Sequence, residues 1–172
     1  MKIIETERII LRQYTLEDVN DLFQILSNPI TMSFWPVPFS LDQVEGWIKR
    51  NMESYIKNGF GRWGIILKEN LKLIGDCGIM ISEVDNEERI DLGYIVHHEY
   101  WNRGIGTEAA RACAKYGFEI LNLNKIYVNM AYDNITSMTV AEKLGMKREK
   151  EFYNKRNREI LTYLYSMENT NN

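Results

Sequence analysis

Two cysteines and two histidines in 172 residues leave almost no material for a disulfide framework or a metal cluster. Cys77 and Cys113 lie far apart in the chain, and the adjacency of His97 and His98 gives no ligand spacing on one helix face. No metal is therefore expected. A run of about twenty apolar residues, the minimum for a bilayer span, is also missing. Met1-Lys2-Ile3-Ile4-Glu5 lacks the apolar stretch of a signal peptide, so the cytoplasm is the expected address, with no membrane contact. Basic excess is absent too: a net charge of −3 argues against a general nucleic-acid binder.

An apolar fraction of 45% with 26% charged residues is ordinary for a globular chain, and the length suits a single domain with a real core. Arg8 to Arg12 reads as a first strand. Thr15 opens a helix whose apolar stripe is Val19, Leu22, Phe23 and Leu26. Phe34-Trp35-Pro36-Val37-Pro38-Phe39 is aromatic and twice broken by proline, so it is a loop with bulk to bury. Ser40 caps a second helix, closed at Asn58-Gly59. Strands are expected over 62–68, 72–82, 90–96 and 125–131, with a helix over 107–121 before the last of these. A short helix over 135–144 ends at Gly145, and strands over 148–153 and 159–166 close the chain. The order implies an α+β domain over 1–167 with a mixed sheet, followed by a polar tail over 168–172.

The chemistry centres on Tyr100-Trp101-Asn102-Arg103-Gly104-Ile105-Gly106-Thr107-Glu108-Ala109. Glycines at alternate positions let a ligand approach the backbone, and the helix that follows aims its first N–H groups at the same space. That is a phosphate cradle, with Arg103 as an extra cation. The plain alternative is a strand-to-helix turn in which glycine only relieves strain.

These pieces, in this order, resemble the GNAT acetyltransferases, and within them the RimJ/RimL-like branch. The resemblance rests on Thr6-Glu7-Arg8-Ile9-Ile10-Leu11-Arg12, Leu73-Ile74-Gly75-Asp76-Cys77-Gly78, Asp91-Leu92-Gly93-Tyr94, the glycine loop, Asn134-Ile135-Thr136-Ser137 and Glu142-Lys143-Leu144-Gly145-Met146. It implies a GNAT fold with a mostly antiparallel sheet, acetyl-CoA as donor and a primary amine as acceptor. The acceptor would be a protein N-terminus, a ribosomal one included, or a small amine, attacking directly in a ternary complex. By the same resemblance CoA is held by Ile95, Val96, Trp101, Asn102, Arg103, Gly104, Ile105, Gly106, Thr107 and Asn134. Ser137 is the candidate to protonate the leaving thiolate, and Asp91, where relatives carry Glu, the candidate to take the amine proton. Glu149 and Glu151 are weaker candidates for that second role. Trp35 would wall the acceptor site. Relatives place a tyrosine acid where this chain has Ala141, so none carries over. Either a monomer or a homodimer fits.

Two other readings stay open at this stage. Gly104-Ile105-Gly106-Thr107-Glu108-Ala109 also matches a dinucleotide-binding GxGxxA, although residues 97–103 separate it from the strand. The same fold without turnover would make an acyl-CoA-binding or partner-binding protein.

Overall fold

The computed structural model describes residues 1–169 and builds them around one eight-stranded sheet. Its strands are β1 (Lys2–Glu5), β2 (Ile9–Arg12), β3 (Arg62–Leu67), β4 (Leu73–Val84), β5 (Glu87–Val96), β6 (Lys125–Ala131), β7 (Lys147–Asn154) and β8 (Ile160–Glu168). Four helices accompany them: α1 (Val19–Leu26), α2 (Leu41–Asn58), α3 (Ile105–Glu119) and α4 (Ile135–Lys143). The sheet runs β1-β2-β3-β4-β5-β6-β8-β7, and every neighbouring pair is antiparallel except β5 and β6. No helix among the described residues is long and apolar enough to cross a membrane.

Local chemistry explains the boundaries. The Ser40 hydroxyl accepts the Gln43 N–H at 3.3 Å while the Gln43 side chain takes the Ser40 N–H at 2.8 Å, a reciprocal cap that starts α2. The β4–β5 hairpin turns through Asp85 and Asn86, at φ 52° and 62°, residue types that tolerate the left-handed region. Helix α3 begins two residues before the expected 107, because Gly104 at φ +75° supplies its N-cap. Nothing in the pattern Lys2-Ile3-Ile4-Glu5 announces β1; antiparallel pairing with β2 orders it. The expected tail starts later than 168: Glu168 completes β8 and the Asn169 N–H bonds the Asn124 carbonyl at 2.8 Å. Residues 170–172 of that tail lie outside the described residues.

The two faces of the sheet are built differently. Trp63, Cys77, Ile79 and Leu92 are buried in one cluster with the small residues Ala109, Ala110, Cys113 and Ala114 of α3. Cys77 and Cys113 meet there, Sγ to Sγ at 3.4 Å, as free buried thiols. The other cluster gathers Leu22, Leu26, Val44 and Ile48 of α1 and α2 around Tyr14 and Ile95. Each large side chain buried in this way contributes about 1.5–3 kcal/mol.

A charge is buried on this second side. Asp76, fully buried, accepts from the Tyr14 hydroxyl at 2.7 Å, the Trp47 indole at 3.0 Å and Arg62 Nε at 2.6 Å. The Arg62 guanidinium sits against the Trp47 ring at 5.6 Å, and a Cβ on Gly93 of β5 would overlap it. This one carboxylate therefore ties β2–α1, α2, β3 and β4 together. Its removal would strand a buried guanidinium, which typically costs about 3–5 kcal/mol. Asp76→Ala is expected to lower the unfolding free energy measured by urea titration by that amount; a loss under about 1 kcal/mol would show that the ion pair contributes little.

Candidate active site

Where β4 and β5 pair continuously from Gly75–Val96 to Val84–Glu87, β5 and β6 register at a single pair, Asp91 opposite Tyr127. Beyond Asp91 the two parallel strands part. The His97 N–H bonds the Ile74 carbonyl at 2.9 Å, which fixes the alternation of the ladder. In that phase Ile95 directs its backbone groups to β4, while Tyr94 and Val96 turn theirs toward the gap. Consistently, a Cβ on Gly75 would run into the Ile95 carbonyl oxygen. Of the expected pair Ile95 and Val96, only Val96 therefore offers backbone to a ligand in the gap. Its carbonyl is already taken by the Trp101 indole N–H at 2.7 Å, so the Val96 N–H is the group that remains. Trp101 thus acts on the strand that it follows.

At the head of the gap lies the glycine loop. A short 3-10 turn, His98–Tyr100, leads through Asn102 at φ 60° and Gly104 at φ 75° into α3. The first i to i−4 bond of the helix runs from the Glu108 N–H to the Gly104 carbonyl at 3.0 Å. The N–H groups of Ile105, Gly106 and Thr107 precede it and stand at the positive end of the helix. Ile105 buries its side chain in the core and can offer backbone only. At Gly106 an added Cβ would meet only Val96 Cγ2, at 3.8 Å. Packing within the chain thus does not require that glycine. The Arg103 guanidinium stacks over Tyr100 at 5.3 Å.

Two residues that the sequence reading did not single out complete the loop. Arg8 donates to the Arg103 carbonyl at 2.8 Å and pairs with Glu108 at 2.6 Å, while the Thr6 hydroxyl bonds the same carboxylate at 2.6 Å. Burial would push the Glu108 carboxyl up, but Thr6 and the Arg8 N–H and guanidinium outweigh it and hold it below the usual range. No spacing rule reveals a contact across about a hundred positions; only the sheet brings the β1–β2 turn to α3.

Asp91 sits at the fork itself, half-buried, accepting from Asn129 Nδ2 at 3.0 Å. It lies inside the sheet, not on an edge or in a turn. Burial is the main cause that raises its carboxyl from 3.8 to about 6, with the Arg62 charge and the Asn129 hydrogen bond acting the other way. Both Asp91 and Asn129 line a cavity of about 280 Å³, walled by the β4–β5 hairpin and residues 152–156.

Across the gap, the Tyr94 hydroxyl lies 2.9 Å from both the carbonyl and the hydroxyl of Ser137 at the start of α4. A carbonyl can only accept, so the tyrosine proton goes to it, and the Ser137 hydroxyl donates in turn to the tyrosine oxygen. Tyr94 closes the run Asp91-Leu92-Gly93-Tyr94, and its partner is 43 positions away. Asn134 uses its side-chain oxygen to accept the Ser137 N–H at 3.1 Å as the α4 cap; its NH2 is what it can offer a ligand amide. Trp35 packs edge-on against Phe39 and Trp47, and Asn157 of the β7–β8 turn donates to the neighbouring Phe34 carbonyl at 2.9 Å. Glu149 is engaged by Lys125 and Ser166, and Glu151 by Arg148.

Residues 8–147 match the family described as the acetyltransferase (GNAT) domain. The protein named uncharacterized N-acetyltransferase p20, from Bacillus licheniformis, is 29% identical over 97% of this chain and 96% of its own. A GNAT-family acetyltransferase from Bacillus anthracis superposes with a TM-score of 0.82 at 25% identity, covering 96% of this chain and 98% of that one. The ribosomal-protein-S5-alanine acetyltransferase of Vibrio fischeri shares the fold at a TM-score of 0.81 and 22% identity, over 97% and 96% of the two chains.

Burial of Asp91 makes a stability prediction with a definite sign. Its folded pKa of about 6 lies above the ordinary 3.8, so the protonated form is favoured in the fold and stability declines as pH rises from about 4 to 6. Asp91→Asn is expected to unfold at higher urea than the native chain at pH 8, by up to about 3 kcal/mol, with the difference vanishing below about pH 4. An unchanged urea midpoint at pH 8 would mean that the carboxylate carries no burial penalty.

Proposed function

Because this chain belongs to the GNAT acetyltransferases and is an acetyl-CoA-dependent N-acetyltransferase, we propose that the parting of β5 and β6 is where it joins donor to amine. The observation that carries this reading is the continuity of three features. The fork at Asp91 opens into a gap edged by the Val96 N–H, and the gap leads to a glycine-led helix N-terminus with spare clearance at Gly106.

In this reading the N–H groups of 103–107 hold the diphosphate of CoA, with Arg103 supplying positive charge beside them and Arg8 neutralising Glu108. The Val96 N–H and the Asn134 NH2 receive the amide-bearing arm, and the same Val96 N–H is aimed where charge develops on the thioester oxygen. Asp91 takes the ammonium proton, directly or through water, since an alkylammonium near pKa 10 cannot attack. The Ser137 hydroxyl turns its proton from the Tyr94 oxygen to the departing thiolate and regains one from solvent, so that no alkoxide is left. A thiol of pKa about 8.5 leaves readily, so this weak acid is sufficient. The acceptor is a primary amine, and the protein works in the cytoplasm. Trp35 and its loop, joined to the β7–β8 turn through Asn157, wall the acceptor side.

Gly104→Glu is expected to abolish acetyl-CoA binding in calorimetry, since it sets a carboxylate in the cradle at φ 75°; retained affinity would remove the cradle assignment. Ser137→Ala should lower kcat about tenfold or more with acetyl-CoA affinity kept. An unchanged kcat would make Ser137 a structural residue. For the native enzyme, kcat/KM for the amine should fall tenfold per pH unit below about 6 as Asp91 takes up its proton, and Asp91→Asn should lose that limb together with most of its activity.

A further inference from the structure

Among the residues lining the cavity at the fork are two acids, Glu83 and Asp85, with Glu87 close by in sequence. In the fold these acids are already answered. Arg156 donates to Glu83 at 2.9 Å and to its carbonyl at 3.3 Å, Lys150 pairs with Asp85 at 2.6 Å, and Arg89 pairs with Glu87 at 2.7 Å. Two of the three cations, Lys150 and Arg156, come from β7 and the β7–β8 turn. Two patches that look opposed in the sequence therefore cancel across the mouth of one cavity.

Once these pairs are removed from the count, two charged groups of the lining remain without an ion pair among the described residues. One is Asp91, half-buried and hydrogen-bonded to Asn129; the other is Lys155, exposed to solvent. They are of opposite sign. Around them the lining offers neutral polar groups, Ser82, Asn86 and Asn154, and the aromatic side chains of Phe152 and Tyr153. At about 280 Å³ the space lies just under the range usual for drug-sized ligands, so it suits a small molecule.

We propose that the acceptor is a small zwitterion of the amino-acid type, whose ammonium meets Asp91 and whose carboxylate meets Lys155. This rests on the acetyl-transfer reading above and narrows its acceptor. A ligand of net charge zero leaves the cavity neutral, with each of its two charges against a group that lacks one. A polyamine would bring several positive charges to a lining whose rim acids are already neutralised, and would add to the charge of Lys155.

The test is a thiol-release assay on the full chain with acetyl-CoA and three acceptor sets: α-amino acids, their carboxamides and spermidine. Amino acids should be acetylated with kcat/KM roughly fivefold or more above the carboxamides, and above spermidine. Lys155→Glu should erase the preference for the free carboxylate by raising the acceptor KM, with the KM for acetyl-CoA unchanged. Equal use of carboxamides, better use of spermidine, or a preference that survives Lys155→Glu would overturn the assignment. Calorimetry separates the two levels of inference. Acetyl-CoA binding without acetylation of any amino acid would defeat the zwitterion proposal and leave the donor site standing, whereas no acetyl-CoA binding would defeat both.

Discussion

Two parallel strands that pair at one residue and then part leave backbone N–H and C=O groups pointing into a gap. Such groups are costly to bury without partners, and each antiparallel neighbour in this sheet satisfies them through its ladder. Here the rest of the structure accommodates the exception. Trp101 folds back to cap the Val96 carbonyl, α3 begins at the end of the gap, and Tyr94 reaches over it to Ser137. The parallel pair arises because the connection from β5 to β6 runs through α3, a crossover that no hairpin could replace. Topology makes the opening, and side chains decide which of its polar atoms stay available.

Charge is handled in two contrasting ways within a few residues. Asp76 is fully buried and surrounded by three donors, and it serves as a rivet. Asp91 receives one amide donor and only the more distant influence of Arg62, and burial raises it to about 6. A carboxylate that accepts protons near neutrality has to be one that the fold solvates poorly. The cost of that arrangement falls on stability, and the Asp76 network lies next to it through Arg62 and Gly93.

Much of this was legible in the sequence, for identifiable reasons. Ser40, Gly59 and Gly145 stand where caps and left-handed residues belong, so α2 and α4 could be bounded closely. Dense apolar runs marked β3 to β6. The glycine loop and the positions of Asp91, Asn134 and Ser137 followed from spacing and resemblance. What escaped depends on three-dimensional pairing. β1 has no pattern of its own, α3 starts early because of a positive φ at Gly104, and the choice between Ile95 and Val96 depends on ladder phase. Tyr94 with Ser137, Arg8 with Glu108, and the cancellation of Glu83 and Asp85 by Arg156 and Lys150 are contacts across 43 to 100 positions. Local pattern holds no trace of them.

The bond between Arg8 and Glu108 alters the character of the cradle. A carboxylate in the first turn of α3 stands at the positive end of the helix and would offset part of its field. Arg8 and Thr6 occupy both oxygens of that carboxylate, so the turn between the first two strands silences an acid that would otherwise weaken the positive end of the helix. The sign of the field at the helix mouth is therefore a property of the whole tertiary fold. Were the first hairpin to peel away in a local opening, the mouth would turn from attracting anions to rejecting them while α3 itself stayed helical.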